Sequence, residues 1–98
     1  MAQYYGNFSA KTVQETKVDV GTGSWTALPT TVLAGRGMIE VFNRAENTLY
    51  LSFSSTTAVK DAMAIGPGDS KAFPVQDNLT LYGRGRQGGC RVVVFEYR

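Results

Sequence analysis

Thr48-Leu49-Tyr50-Leu51-Ser52-Phe53-Ser54 alternates large apolar residues with their neighbours without a break. Side chains of an extended chain point to opposite faces in turn, so this spacing predicts a strand with Leu49, Leu51 and Phe53 inward and Tyr50, Ser52 and Ser54 outward. No segment shows a sustained helical period. Short alternating runs bounded by Gly, Pro, Asn and Asp recur on both sides of this one, which is the pattern of an all-β chain.

Toward the N-terminus, Asn43-Arg44-Ala45-Glu46-Asn47 reads as a hairpin connection. Before it, Met38 to Asn43 is apolar at Met38, Ile39, Val41 and Phe42. Those positions lie on both faces, as expected of a central strand or of one covered by a neighbouring chain. Gly35-Arg36-Gly37 punctuates a loop. Ser24 to Leu28 carries Trp25, and Pro29, which lacks a backbone donor, puts this short strand at an edge or ends it. Thr12 to Val20 sets Val18 and Val20 against Lys17 and Asp19, and Gly21-Thr22-Gly23-Ser24 breaks it.

Toward the C-terminus, Ser55 to Ala62 reads as loop; Thr57 is a candidate cap for one turn through Lys60 and Asp61, too short to be stable unaided. Met63 to Ile65 leads into Gly66-Pro67-Gly68-Asp69, whose Pro and Gly sit where a type II turn needs fixed and positive φ. Lys71, Phe73 and Val75 then share a face, while Pro74 weakens the ladder. After a turn at Gln76-Asp77-Asn78, Leu79 and Leu81 point in and Thr80 and Tyr82 out. Gly83 to Gly89 reads as a flexible loop, and Cys90 to Tyr97 as a strand with both faces buried: Val92 and Val94 on one, Val93, Phe95 and Tyr97 on the other. About seven short strands joined by tight turns predict a small antiparallel β-sandwich or jelly-roll-like barrel over residues 12–98, preceded by an extended arm over 1–11.

Ninety-eight residues suit one domain. Only 18% are charged, below the soluble average of about 25%, so part of the surface is expected to meet something other than water. The chain has no His and a single Cys, Cys90. Its carboxylates, Glu15, Asp19, Glu40, Glu46, Asp61, Asp69, Asp77 and Glu96, are scattered, most beside turns or on solvent faces. This composition argues against an enzyme and against a cofactor or metal centre. Cys90 opens an apolar strand and reads as a small buried hydrophobe. No basic segment precedes an apolar run at the N-terminus and no 18-residue apolar stretch occurs, so neither a signal peptide nor a membrane span is expected.

Three groups stand out as binding candidates. Arg84, Arg86 and Arg91 lie among glycines and resemble an arginine–glycine tract, but with a net charge of +2 they offer few phosphate contacts, which disfavours nucleic acid as a partner. Their hairpin tip suits an acidic protein surface equally well. Tyr4, Tyr5 and Phe8 put three aromatics in the terminal arm, either packed on the domain's own sheet or donated to a neighbour. Trp25 reads as a core or edge anchor rather than a ligand platform.

From Trp25 to Tyr97 the order of elements resembles small structural proteins of tailed-bacteriophage virions, including head decoration (cement) and head-spike-base proteins. The resemblance runs through Ala27-Leu28-Pro29, Arg36-Gly37-Met38-Ile39-Glu40-Val41-Phe42-Asn43, Leu49-Tyr50-Leu51-Ser52-Phe53 and Ile65-Gly66-Pro67-Gly68-Asp69-Ser70. It continues in Asn78-Leu79-Thr80-Leu81-Tyr82-Gly83 and Val92-Val93-Val94-Phe95-Glu96. It implies a non-enzymatic virion protein, assembled in the host cytoplasm, that decorates or stabilises a capsid. Its partners would be the major capsid protein or another virion protein, and copies of itself in a homo-oligomer. In that setting Tyr4, Tyr5 and Phe8 would anchor the arm on a neighbour, Trp25 would pack near the seam, and Arg84, Arg86 and Arg91 would meet acidic capsid surface. The alternatives are a nucleic-acid-binding β module that stacks bases on Tyr50 and Tyr82 beside those arginines, a head-to-tail or tail accessory, and a carbohydrate-binding virion protein.

Overall fold

The structure is a computed structural model that describes residues 12–98 and, before them, the backbone of two short strands, Tyr4–Tyr5 (β1) and Phe8–Ser9 (β2). These two pair antiparallel, Tyr4 opposite Ser9 and Tyr5 opposite Phe8. The strands that follow are β3 (Val13–Val20), β4 (Thr26–Ala27), β5 (Met38–Asn43), β6 (Leu49–Ser52), β7 (Met63–Ile65), β8 (Ser70–Pro74), β9 (Tyr82–Gly85) and β10 (Cys90–Tyr97). They form two four-stranded antiparallel sheets, ordered β3-β10-β5-β8 and β4-β9-β6-β7.

The pairing is nested: β3 with β10, β4 with β9, β5 with β8 and β6 with β7. One long hairpin, folded at β6–β7 and wound so that its two-stranded ribbon passes between the sheets, gives this order, which is the topology of a jelly roll. The all-β reading therefore holds, with eight strands in the two sheets where about seven were expected. Met63–Ile65, read as a lead into a turn, pairs residue by residue with β6 and is a strand of its own.

The core lies between the sheets. Val18, Val20, Ile39, Val41, Val92 and Val94 face it from the first sheet, and Leu49, Leu51 and Ile65 from the second, with Leu28, Val75, Leu81 and Cys90 filling in from the ends. The turn at Gly66–Asp69 forms as expected, with the Asp69 N–H donating to the Gly66 carbonyl at 3.1 Å and Gly68 at φ +77°.

Four local expectations are corrected. Phe53 does not face the core but is 45% exposed. The ladder of β6 ends at Ser52, whose hydroxyl accepts from the Ser54 N–H at 3.1 Å and meets the Thr57 hydroxyl at 2.6 Å, so the alternation stops there. Leu79 is 51% exposed because it sits in a turn, its N–H directed at the Gln76 carbonyl, and the strand begins only at Tyr82. The Gly83–Gly89 segment is a loop only in its second half. Its first half is strand, with the buried Gly83 and Gly85 inward and the Arg84 between them half-exposed. A Cβ at Gly83 would lie 2.6 Å from Leu28 Cδ1, and one at Gly85 would overlap the Gly88 carbonyl, so the glycines are demanded by packing. In the Ser55–Ala62 segment a 3-10 turn forms at Val59–Asp61, preceded by Ala58 with no side-chain cap.

Two buried polar groups tie the ends of the roll together. Glu96, read as one of a scattered set of mostly solvated carboxylates, has its side chain fully out of water. It shares the inward face of β10 with Val92 and Val94. Its Oε2 accepts from Arg36 Nη1 at 2.8 Å and from the Leu33 N–H at 2.9 Å, and its Oε1 from Gln14 Nε2 at 3.2 Å. Arg36, also without side-chain exposure, donates from Nη2 to the Leu79 carbonyl at 2.6 Å. Asn43, fully buried at the end of β5, directs Nδ2 at the carbonyls of Asn47, Ile65 and Gly66 at 2.8–3.2 Å and accepts from the Ala45 N–H at Oδ1. It thereby fastens the β5–β6 connection to the Gly66–Asp69 turn.

Candidate binding faces

The outward side of the first sheet carries an apolar strip. Register sets Lys17, Val93, Phe42 and Ser70 side by side across β3, β10, β5 and β8, and Glu15, Phe95, Glu40 and Ala72 in the next row. Val93, Phe42 and Phe95 are only half-buried there. The Phe42 and Phe95 rings meet edge to face, centroids 5.5 Å apart at 79°, a favoured aromatic geometry that fixes both side chains. Lys17, Arg44 and Arg91 border these residues at one end, and the six line an open groove of about 500 Å³, while Glu15 and Glu40 flank Phe95 at the other end. Arg91 also holds Asp19 at 3.2 Å in an exposed ion pair. An apolar floor bordered by cations at one end and carboxylates at the other binds by area at its centre and, at its cationic end, favours negative charge.

The second sheet turns a different surface outward. With Leu49 and Leu51 in the core, Tyr50 faces out opposite Arg84, and Tyr82 lies diagonally beside it. The Arg86 N–H donates to the Thr48 carbonyl at 3.0 Å, which carries the strip one step further. Arg84 Nε donates to the Thr22 carbonyl at 2.7 Å.

The sequence candidates are thus divided. Arg84 belongs to the second sheet and Arg86 follows just beyond its strand, whereas the chain crosses over at Gly88-Gly89 and delivers Arg91 to the first. Trp25 is half-buried and donates from Nε1 to the Thr57 carbonyl at 3.1 Å, anchoring the approach to β4. The side chains of Tyr4, Tyr5 and Phe8 lie outside the described residues. Lys17, Phe42, Arg44, Val93 and Phe95 were not singled out by sequence reasoning. The signal that finds them is the apolar character of both faces of β5 and β10.

Cys90 is buried, with its Sγ 3.3 Å from Asn47 Oδ1. Desolvation pushes the thiol pKa up, against the opposing pull of the Asn47 hydrogen bond, so the group stays a neutral thiol. Among the described residues no three of the Asp, Glu and Cys side chains come together as a metal site.

No protein-family model matches the chain, and no curated protein matches it. Among the solved structures that share its fold are two at low sequence identity. One is a de novo designed double-stranded β-helix solved by NMR in solution: 20% identical, TM-score 0.59, covering 85% of this chain and 97% of the design. The other is the crystal structure of protein NMB1881 from Neisseria meningitidis: 17% identical, TM-score 0.55, covering 100% of this chain and 84% of that one. At such identities the likeness is one of fold, and it agrees with the wound double strand traced above.

Proposed function

We propose that the protein is a non-enzymatic structural subunit of a bacteriophage virion that decorates or stabilises the capsid by binding neighbouring subunits. The single observation that carries this reading is the groove of Lys17, Phe42, Arg44, Arg91, Val93 and Phe95, an apolar sheet face left open with three cations along one end. The order of sequence elements supports the virion setting. Each contact is modest; repetition over a symmetric shell raises the effective concentration and supplies the strength. The acidic surface that Arg84, Arg86 and Arg91 would meet together is replaced here by one facing Lys17, Arg44 and Arg91.

The test is sedimentation of the full chain with shells assembled from the major capsid protein of the same virion. Saturable co-sedimentation that weakens with salt is expected; its absence at low salt overturns the reading. Deleting residues 1–10 removes none of the eight sheet strands and is expected to release the protein from the shell while leaving it folded. Retained association would take the arm out of the interface.

A second reading rests on the outward row of Tyr50, Tyr82 and Arg84, with the exposed Arg86 just beyond it, which has the make-up of a base-stacking strip. Titration with single-stranded DNA separates the two. Micromolar binding that falls steeply with salt favours this strip, and no binding at low salt removes it.

A further inference from the structure

Strand β3 is an outer strand of its sheet and, among the described residues, pairs with β10 alone. Thr12 and Arg98 exchange both backbone bonds, at 2.9 and 2.8 Å. In an antiparallel ladder such bonded pairs recur at every second residue, so the even-numbered residues of β3 turn their N–H and C=O groups to β10. Val13, Glu15, Lys17 and Asp19 therefore turn theirs to the open edge. All four side chains are exposed. An eight-residue strand with an open row of donors and acceptors is a template for another strand.

We infer that this edge pairs antiparallel with the same edge of a second copy of the chain about a two-fold axis at Thr16, joining the two first sheets into one continuous sheet. In that register Glu15 lies opposite Lys17 of the partner subunit, and Lys17 opposite Glu15 of the partner subunit. Val13 and Asp19 complete the ladder in the same way. The four bonded pairs add about eight backbone hydrogen bonds, and the two opposite-charge pairs are the kind that stabilise cross-strand neighbours.

The charges select this register among the alternatives. An axis at Lys17 would set Lys17 against itself and Glu15 against Asp19; an axis at Glu15 would set Glu15 against itself. An axis at Val18 would match Lys17 with Asp19, but Asp19 already holds Arg91, and the ladder would need the Gly21 carbonyl, which accepts from the Gly85 N–H at 2.9 Å. An axis between residues would pair odd with even positions and lose the edge bonds. The inference does not rest on the virion reading, since it needs no other protein.

The test is the solution mass of the full chain by sedimentation velocity, with no virion component present. A dimer is expected for the wild type. Lys17→Glu, an exposed change that circular dichroism should show to be folded, is expected to weaken the dimer at least tenfold, and Glu15→Lys combined with Lys17→Glu is expected to restore it. Thr16→Cys is expected to give an oxidised, disulfide-linked dimer, because non-bonded antiparallel partners lie about 4.5 Å apart at Cα. Lys17→Cys, offset from its own copy, is expected to cross-link poorly. A monomeric wild type overturns the inference. So does a dimer indifferent to Lys17→Glu, and so does efficient cross-linking through Lys17→Cys in place of Thr16→Cys.

Discussion

Arg36 and Glu96 meet at 2.8 Å across the end of the roll, with neither side chain exposed to solvent. A buried charge is tolerated when an opposite charge and further hydrogen bonds offset its desolvation. Each member here also binds backbone, Arg36 the Leu79 carbonyl and Glu96 the Leu33 N–H, although Arg36 Nε is buried without a hydrogen-bond partner among the described residues. The pair thus joins the β4–β5 connection, the last strand and the turn before β9.

Removing one partner leaves the other charge buried and uncompensated. Glu96→Ala or Arg36→Ala is expected to lower the unfolding free energy by about 3–5 kcal/mol. The double change Arg36→Met with Glu96→Leu is expected to cost less than either. Urea unfolding followed by Trp25 fluorescence measures both, and a double variant as unstable as the sum of the singles would contradict the account.

Gly85→Ala drives a Cβ into the Gly88 carbonyl and is expected to destabilise by about 1–3 kcal/mol, because backbone must move. Gly83→Ala meets the flexible end of Leu28 and is expected to cost less. At Gly21 an added Cβ meets nothing within 4 Å, and Gly21→Ala is expected to stay within about 0.5 kcal/mol. Thermal unfolding of the three variants, ranked in that order, checks the assignment of the Gly-Arg-Gly segment as strand.

Cys90 has a thiol pKa raised above its ordinary 9.0 by burial. The folded state therefore keeps its proton at a pH where the unfolded state has lost it. Stability from this group is full below the unfolded pKa and declines as pH rises through the folded one. Denaturation curves between pH 7 and pH 10 should show a decline above pH 9 that Cys90→Ala, whatever its own stability, does not share. Folded protein should likewise react slowly with a thiol reagent and unfolded protein rapidly.

Much of the roll was readable from residues alone. Met38–Asn43 forms as read, Leu49 and Leu51 point inward, and Gly66-Pro67-Gly68-Asp69 turns as its Pro and Gly require. Phe53 and Leu79 were misplaced because alternation predicts a face only while the ladder lasts, and strand ends are set by pairing. Glu96 sits in phase with Val92 and Val94, so its burial was implied by the same period that placed the valines, but its partner Arg36 is 60 residues distant. The binding residues were less legible. Arg84, Arg86 and Arg91 are neighbours in sequence, yet the crossover at Gly88-Gly89 sends Arg91 to a different sheet from Arg84, while Lys17, Arg44 and Arg91 are brought together only by register.

On the proposed reading the outward face of the first sheet is the docking surface. Co-sedimentation with capsid shells of Phe42→Ser combined with Arg44→Glu, set beside Tyr50→Ser combined with Arg84→Glu, tests it most directly. The account predicts that the first pair loses the shell and the second keeps it, with both folded by circular dichroism. Retention by the first pair, or loss by the second alone, would contradict it.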